Sequence, residues 1–138
     1  MKKLLLTLLA LVLIGSTALA DFTNLRDVQN YIMNTAPRDI SEYDKATVKG
    51  EILSIEFVTG NHYNLILEVD DPNAISPMGY NKPIVVGHFR LHLDSVEDLP
   101  FKVGDTALIT GGINIAYSTY IVPMIMIEEI NGFDREEF

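Results

Sequence analysis

Residues 101–112 read FKVGDTALITGG. Val103-Gly104-Asp105 has the composition of a turn, residues 106–110 alternate as a short strand, and Gly111-Gly112 makes a second corner. Three glycines so close together raise the question of a phosphate-cradling loop. A P-loop needs G-x-x-x-x-G-K-[ST] between a strand and a helix, and a dinucleotide loop needs G-x-G-x-x-G opening a helix. Neither pattern is present, and strand-like residues 113–116 follow Gly112. The stretch therefore reads as a turn and a bend within a β-scaffold.

Working outward, the flanking chain is also strand-like. Residues 46–58 alternate but change phase: Val48, Gly50 and Ile52 share one parity, Leu53, Ile55 and Phe57 the other. A parity switch beside a glycine predicts a bulge or sharp bend, and a strand so bent can serve two sheet layers. A turn at 59–63 leads to a strand at 64–70 with Leu65, Leu67 and Val69 inward. Residues 84–93 place Val85, Gly87, Phe89, Leu91 and Leu93 on the core face, with Ile84, Val86, His88, Arg90 and His92 opposite. Residues 94–100 fit one helical turn capped by Ser95. The last strand spans 119–130, and Pro123, lacking an N–H, predicts an edge there. The segment 71–83 holds three prolines and no strand pattern, and long loops are where function concentrates.

Five strands, the first bent, with a short helical turn between the third and fourth, resemble an OB-fold, a five-stranded, partly open Greek-key barrel. The V-G-D turn followed by an alternating strand and a glycine resembles the approach to the fourth strand of such domains. Val48-Lys49-Gly50-Glu51-Ile52 resembles their first strand. The layout over residues 22–131 is similar to that of small exported bacterial OB-fold proteins, which implies a ligand- or partner-binding module. The fold class is thus expected to be mainly β, a five-stranded OB-fold barrel preceded by one N-terminal α-helix.

Residues 1–20, MKKLLLTLLALVLIGSTALA, carry Lys2 and Lys3, an apolar run from Leu4 to Ile14, and a small-x-small site at Ala18-Leu19-Ala20. That pattern is a bacterial secretory signal peptide. The run is about half the roughly 20 residues that a spanning helix needs, so no membrane span is expected after cleavage. The expected location is the periplasm or the extracellular space, and the absence of cysteine rules out a lipoprotein anchor and disulfides. The domain plan is a signal at 1–20, a helix and link at 21–45, the barrel at 46–131 and an acidic tail at 132–138, expected to fray. The helix is read over 22–36, with Thr23 as cap, Leu25, Val28 and Ile32 inward, and Arg26, Gln29 and Asn30 on the polar face. Pro37 ends it.

Without Lys2 and Lys3, eight basic residues face nineteen acidic ones, a net charge of −11. Such a balance makes nucleic acid and anionic membranes poor partners, leaving small molecules, sugars, cations and proteins. No cofactor is implied. The candidate ligand face is the outer surface of the second and third barrel strands. It would use His62, Tyr63, Glu68, Tyr80, His88, Arg90 and His92, with the loops at 59–63, 71–83 and 114–119. His88 and His92 stand about 13 Å apart on one strand, too far to share a metal ion. Asp70, Asp71 and Asn73 are weak calcium candidates, because the D-x-[DN]-x-[DN]-G-x5-E loop is absent. No nucleophile motif is found, so catalytic residues are not assigned. Two alternatives stand beside a non-enzymatic binding module. One is a metal-dependent hydrolase on the same barrel, and the other is an interaction subunit offering edge strand 119–127 to a partner's sheet.

Overall fold

The computed structural model describes residues 21–40, 44–114 and 117–138. The stretch 1–20, read from sequence as a signal, lies outside the described residues, as does the expected continuation of a strand through 115–116. The elements are β1 (Asp21–Phe22), α1 (Leu25–Asn34), β2 (Lys45–Thr59), β3 (His62–Val69), β4 (Ile84–Arg90), β5 (Thr106–Ile113), β6 (Met124–Ile130) and β7 (Phe133–Asp134). The sheet runs β2-β3-β4-β6-β5 and closes because β5 also pairs with β2. All barrel neighbours are antiparallel except β4 and β6, which are parallel. This is the closed five-stranded OB-fold barrel that the sequence predicts, with one helix before it.

Closure depends on β2 serving two partners. Lys45–Glu51 pairs with β5 and Gly50–Thr59 pairs with β3, so the strand must turn between them. The turn uses Gly50, where a Cβ would lie 2.6 Å from the Glu68 carbonyl oxygen. It also uses a bulge, because Ile52 faces Leu67 while Ser54 faces Ile66, leaving Leu53 unmatched. Ala46, Val48 and Ile52 point into the core, and beyond the bulge Ile55 packs against it. The parity switch is therefore a real bend.

The opening stretch fastens to that bend. Gly104, at φ 93°, donates its N–H to Ile52 O at 2.8 Å, and Ile52 N–H donates to Asp105 O at 2.9 Å. Asp105 secures the turn by accepting the Lys102 N–H at 3.0 Å. Farther on, Gly111 meets β6 so closely that a Cβ would overlap the Met126 carbonyl oxygen. A register shift lies beside it, leaving Glu128 unmatched on β6.

One barrel end is plugged by α1, whose Leu25 and Val28 are wholly buried in the barrel core. The helix starts later than the periodicity suggests. Phe22 belongs to β1, paired in parallel with Ala46, and Asn24 replaces Thr23 as cap, its Oδ1 accepting the Asp27 N–H at 2.9 Å. Gln29, assigned from sequence to the polar face, is fully buried. Its Nε2 donates to Ile75 O at 2.9 Å and Ile121 O at 3.1 Å, and its Oε1 accepts the Ile75 N–H at 2.8 Å. One amide thus ties α1 to the loops before β4 and before β6. A buried amide with its bonds made is tolerated, whereas unpaired backbone groups there would be costly.

At the other end two expectations are corrected. The acidic segment 132–138 does not fray. β7 pairs with β6, Asp134 and Glu137 form a capping box, and Phe138 is fully buried. Its ring meets Phe89 and Phe101 edge-on at centroid distances of 5.8 and 5.5 Å. Burying such a ring contributes about 2 kcal/mol, more than exposed, screened charges oppose. Nor is 119–127 an edge strand. β6 begins at Met124, after Pro123, and pairs with β4 on one side and β5 on the other. Proline is accommodated because it sits just ahead of the strand, its carbonyl accepting the Val86 N–H at 3.0 Å. No free edge is left there for a partner's sheet. As the sequence predicts, a short 3₁₀ turn at Val96–Asp98 is capped by Ser95.

The two glycine types make a quantitative expectation. Gly111→Ala should cost about 3 kcal/mol or more in urea denaturation, because the obstacle is backbone held in a ladder. Gly60→Ala, at φ 58° with open space around it, should cost only about 1 kcal/mol. Equal losses at the two positions would contradict the close β5–β6 crossing.

Candidate functional site

Alternation along the strands sends His62, Asn64, Ile66 and Glu68 of β3 outward, while Leu65, Leu67 and Val69 enter the core. On β4 the outward set includes Val86, His88 and Arg90. On β6 it includes Met124 and Met126, since Ile125 and Ile127 are buried. The register places Asn64 opposite His88 and His88 opposite Met126. Adjacent outward side chains therefore form one row across three strands.

A cleft of about 350 Å³ lies over this row. Val58 and Thr59 from β2 and His62 and Asn64 from β3 line one side, with His88 from β4, Met124 and Met126 from β6, and Asn114 and Tyr117 from the loop after β5 completing it. Its walls are mostly apolar and none of these residues is a carboxylate. A larger depression of about 750 Å³ runs along Val96–Asp105 beside Ile55. There the Asp105 carboxylate is already engaged by its own turn, whereas the smaller cleft joins its polar side chains by hydrogen bonds, so chemistry favours the smaller cleft.

The cleft floor is a histidine pair. His62 Nδ1 and His88 Nε2 are 3.1 Å apart, with the rings stacked at a centroid distance of 5.1 Å. His88 Nδ1 lies 2.8 Å from Asn64 Oδ1, which can only accept, so His88 carries its proton on Nδ1 and presents a bare Nε2 to His62. The proton between the rings then belongs to His62. Burial, and secondarily the His62 imidazole, holds His88 below the usual histidine range. Across the cleft, Asn114 Nδ2 donates to Met126 Sδ at 3.2 Å.

Of the residues expected from sequence, the structure brings only His62 and His88 into this cleft. Tyr63 faces the other way, stacked on Phe89 at 5.8 Å and edge-on to Phe57 at 5.6 Å. Glu68 lies about 20 Å along β3 from His62. Arg90 sits opposite His62 at the exposed end of β4. His92 lies beyond the strand, because β4 stops at Arg90 and the His92 N–H turns to Phe138 O at 2.8 Å. Tyr80 stays in the 71–83 loop, its N–H bonded to Pro77 O at 3.1 Å. Of Asp70, Asp71 and Asn73, the Asp71 carboxylate is committed to backbone, accepting the Arg26 N–H of α1 at 3.1 Å and the Asn73 N–H at 3.0 Å. Among the described residues, no group of three or more His, Cys, Asp or Glu gathers as a metal site, so the cluster that a hydrolase requires is not found among them.

The site residues that sequence reading missed are Asn64, Met124 and Met126. Their signal was parity alone: Asn64 shares the phase of His62, and Met124 and Met126 oppose the buried Ile125 and Ile127.

No family model matches the chain, and no curated protein matches it. A solved structure of Stn1 and Ten1 from yeast is similar, at 13% identity and a TM-score of 0.38, over 84% of this chain and 63% of that one. The chain thus spans less than two thirds of the length of its match, and the likeness does not say what this chain binds. The expectation that nucleic acid is a poor partner is corrected here. It rested on charge summed over the whole chain. The chain's own strand order is that of a closed OB barrel, a class that takes oligonucleotides on this strand face. Locally the cleft carries no negative side chain to repel a phosphate backbone.

The histidine pair gives a pH expectation. A lowered folded-state pKa means that the unfolded chain binds more protons just below the ordinary value of about 6.5. Stability should therefore fall as pH drops through that window and stay flat above it. In a proton NMR titration His88 should show a midpoint below about 6.5. In His62→Gln that midpoint should rise only part of the way back, because burial is the larger cause. A full return to the ordinary value would show that burial is not the cause.

Proposed function

We propose that this chain is an exported, non-enzymatic OB-fold binding module that takes its ligand in the cleft over His62 and His88. Export rests on the signal pattern of residues 1–20. The observation that carries the binding reading is the cleft itself. Two paired imidazoles, two amides and two thioethers converge at the mouth between the β2–β3 turn and the loop after β5, on the face that OB barrels use for ligands. Exposed Tyr117 at the rim offers a stacking surface.

The test starts with protein recovered from the exported fraction of a bacterial host, expected to begin at Asp21. Its melting temperature is followed against sugars, short peptides, single-stranded oligonucleotides and metal cations. At least one class should raise it with increasing concentration, as mass action requires, and the shift should shrink at least twofold in Tyr117→Ala or His88→Ala. Stabilisation that survives both substitutions, or none from any class, would refute the cleft as the site.

A further inference from the structure

The nitrogen spacing in the histidine pair has a second meaning. Two metal bonds of about 2.0–2.1 Å at a tetrahedral angle place their nitrogens about 3.3 Å apart. His62 Nδ1 and His88 Nε2 already stand 3.1 Å apart. Asn64 Oδ1 receives the other ring N–H of His88, which is how proteins fix the tautomer and orientation of a metal-bound histidine. The bare Nε2 that results faces His62 on the cleft floor. A cation between the rings needs only that the His62 proton move from Nδ1 to Nε2, so both imidazoles remain neutral.

The third donor decides which cation. Met126 is the cross-strand neighbour of His88 on the same face, and its Sδ is kept in the cleft by the Asn114 amide. Thioether sulfur is soft and neutral, and it disfavours calcium, magnesium and manganese while suiting copper(I). All the groups available are neutral, and no carboxylate lines the cleft to offset a second positive charge. A singly charged, polarisable ion therefore fits better than a divalent one. We propose that His62 Nδ1, His88 Nε2 and Met126 Sδ form a binding site for a soft monovalent cation of the copper(I) or silver(I) type. The site rests on the cleft reading given above. Met124, two residues earlier on the same face, forms the apolar wall beside it.

The test is a silver(I) nitrate titration of the mature protein in chloride-free buffer, followed calorimetrically and by NMR. One equivalent should bind, moving the Met126 ε-methyl and both imidazole signals together. Met126→Leu, which keeps volume and loses the sulfur, should weaken silver(I) at least tenfold and leave zinc(II) within about twofold, because the two histidines remain. His62→Gln should weaken both ions. Silver(I) binding unchanged in both variants would place the ion elsewhere, for instance at exposed Met78 or Met33, and overturn the site. A loss confined to His62→Gln would mean an imidazole site without sulfur, and overturns the soft-ion assignment. If an organic ligand still stabilises the protein through Tyr117 while silver(I) fails, the metal site falls and the cleft reading stands.

Discussion

The place that a side chain would take at position 111 is filled by the backbone carbonyl of Met126. That close approach of β5 to β6 is the constraint on which the rest of the barrel depends. β6 must lie against β5 in order to pair with β4 on its other flank, and only then is the cylinder closed. The same contact fixes the register that puts Ile125 and Ile127 in the core and Met126 on the outer face beside His88. The glycine corner of the opening stretch holds no ligand itself, yet it positions one wall of the cleft.

Much of the scaffold was legible because it follows from alternation and from glycine. The bend at Gly50 and Leu53, the inward sets of β3 and β4, and the V-G-D turn are all local patterns. What was not legible depended on partners distant in sequence. Gln29 reads as a surface residue on a helical wheel, and becomes core only because the loops at Ile75 and Ile121 arrive with carbonyls to satisfy. Phe138 reads as the end of an acidic tail, and is drawn in by the paired rings of Phe89 and Phe101, a contact that no local window reveals. Pro123 reads as an edge marker because its missing N–H is visible in the sequence, whereas its position just outside β6 is not.

The site divides in the same way. Parity on β4 marks His88 as outward and the turn at 59–63 brings His62 to the same face, but that their rings meet across the ladder is not visible in the sequence. In a twisted barrel, groups on neighbouring strands can approach to hydrogen-bonding distance, while groups four apart on one strand cannot. Met124 and Met126 carry no local motif, and outward parity opposite Ile125 and Ile127 is their only distinguishing sign in the sequence. Net charge misled for a related reason: a sum over the chain says little about a patch that contains no acidic residue.

Asn64, His62, His88 and Met126 thus make a coherent row: an amide that orients, two nitrogens that converge and a sulfur that selects. X-ray absorption of the protein loaded anaerobically with one equivalent of copper(I) examines that row directly. The account predicts a first shell of two imidazole nitrogens and one sulfur, with the sulfur contribution lost in Met126→Leu. A shell of nitrogen and oxygen alone, or sulfur that persists in the variant, would contradict it.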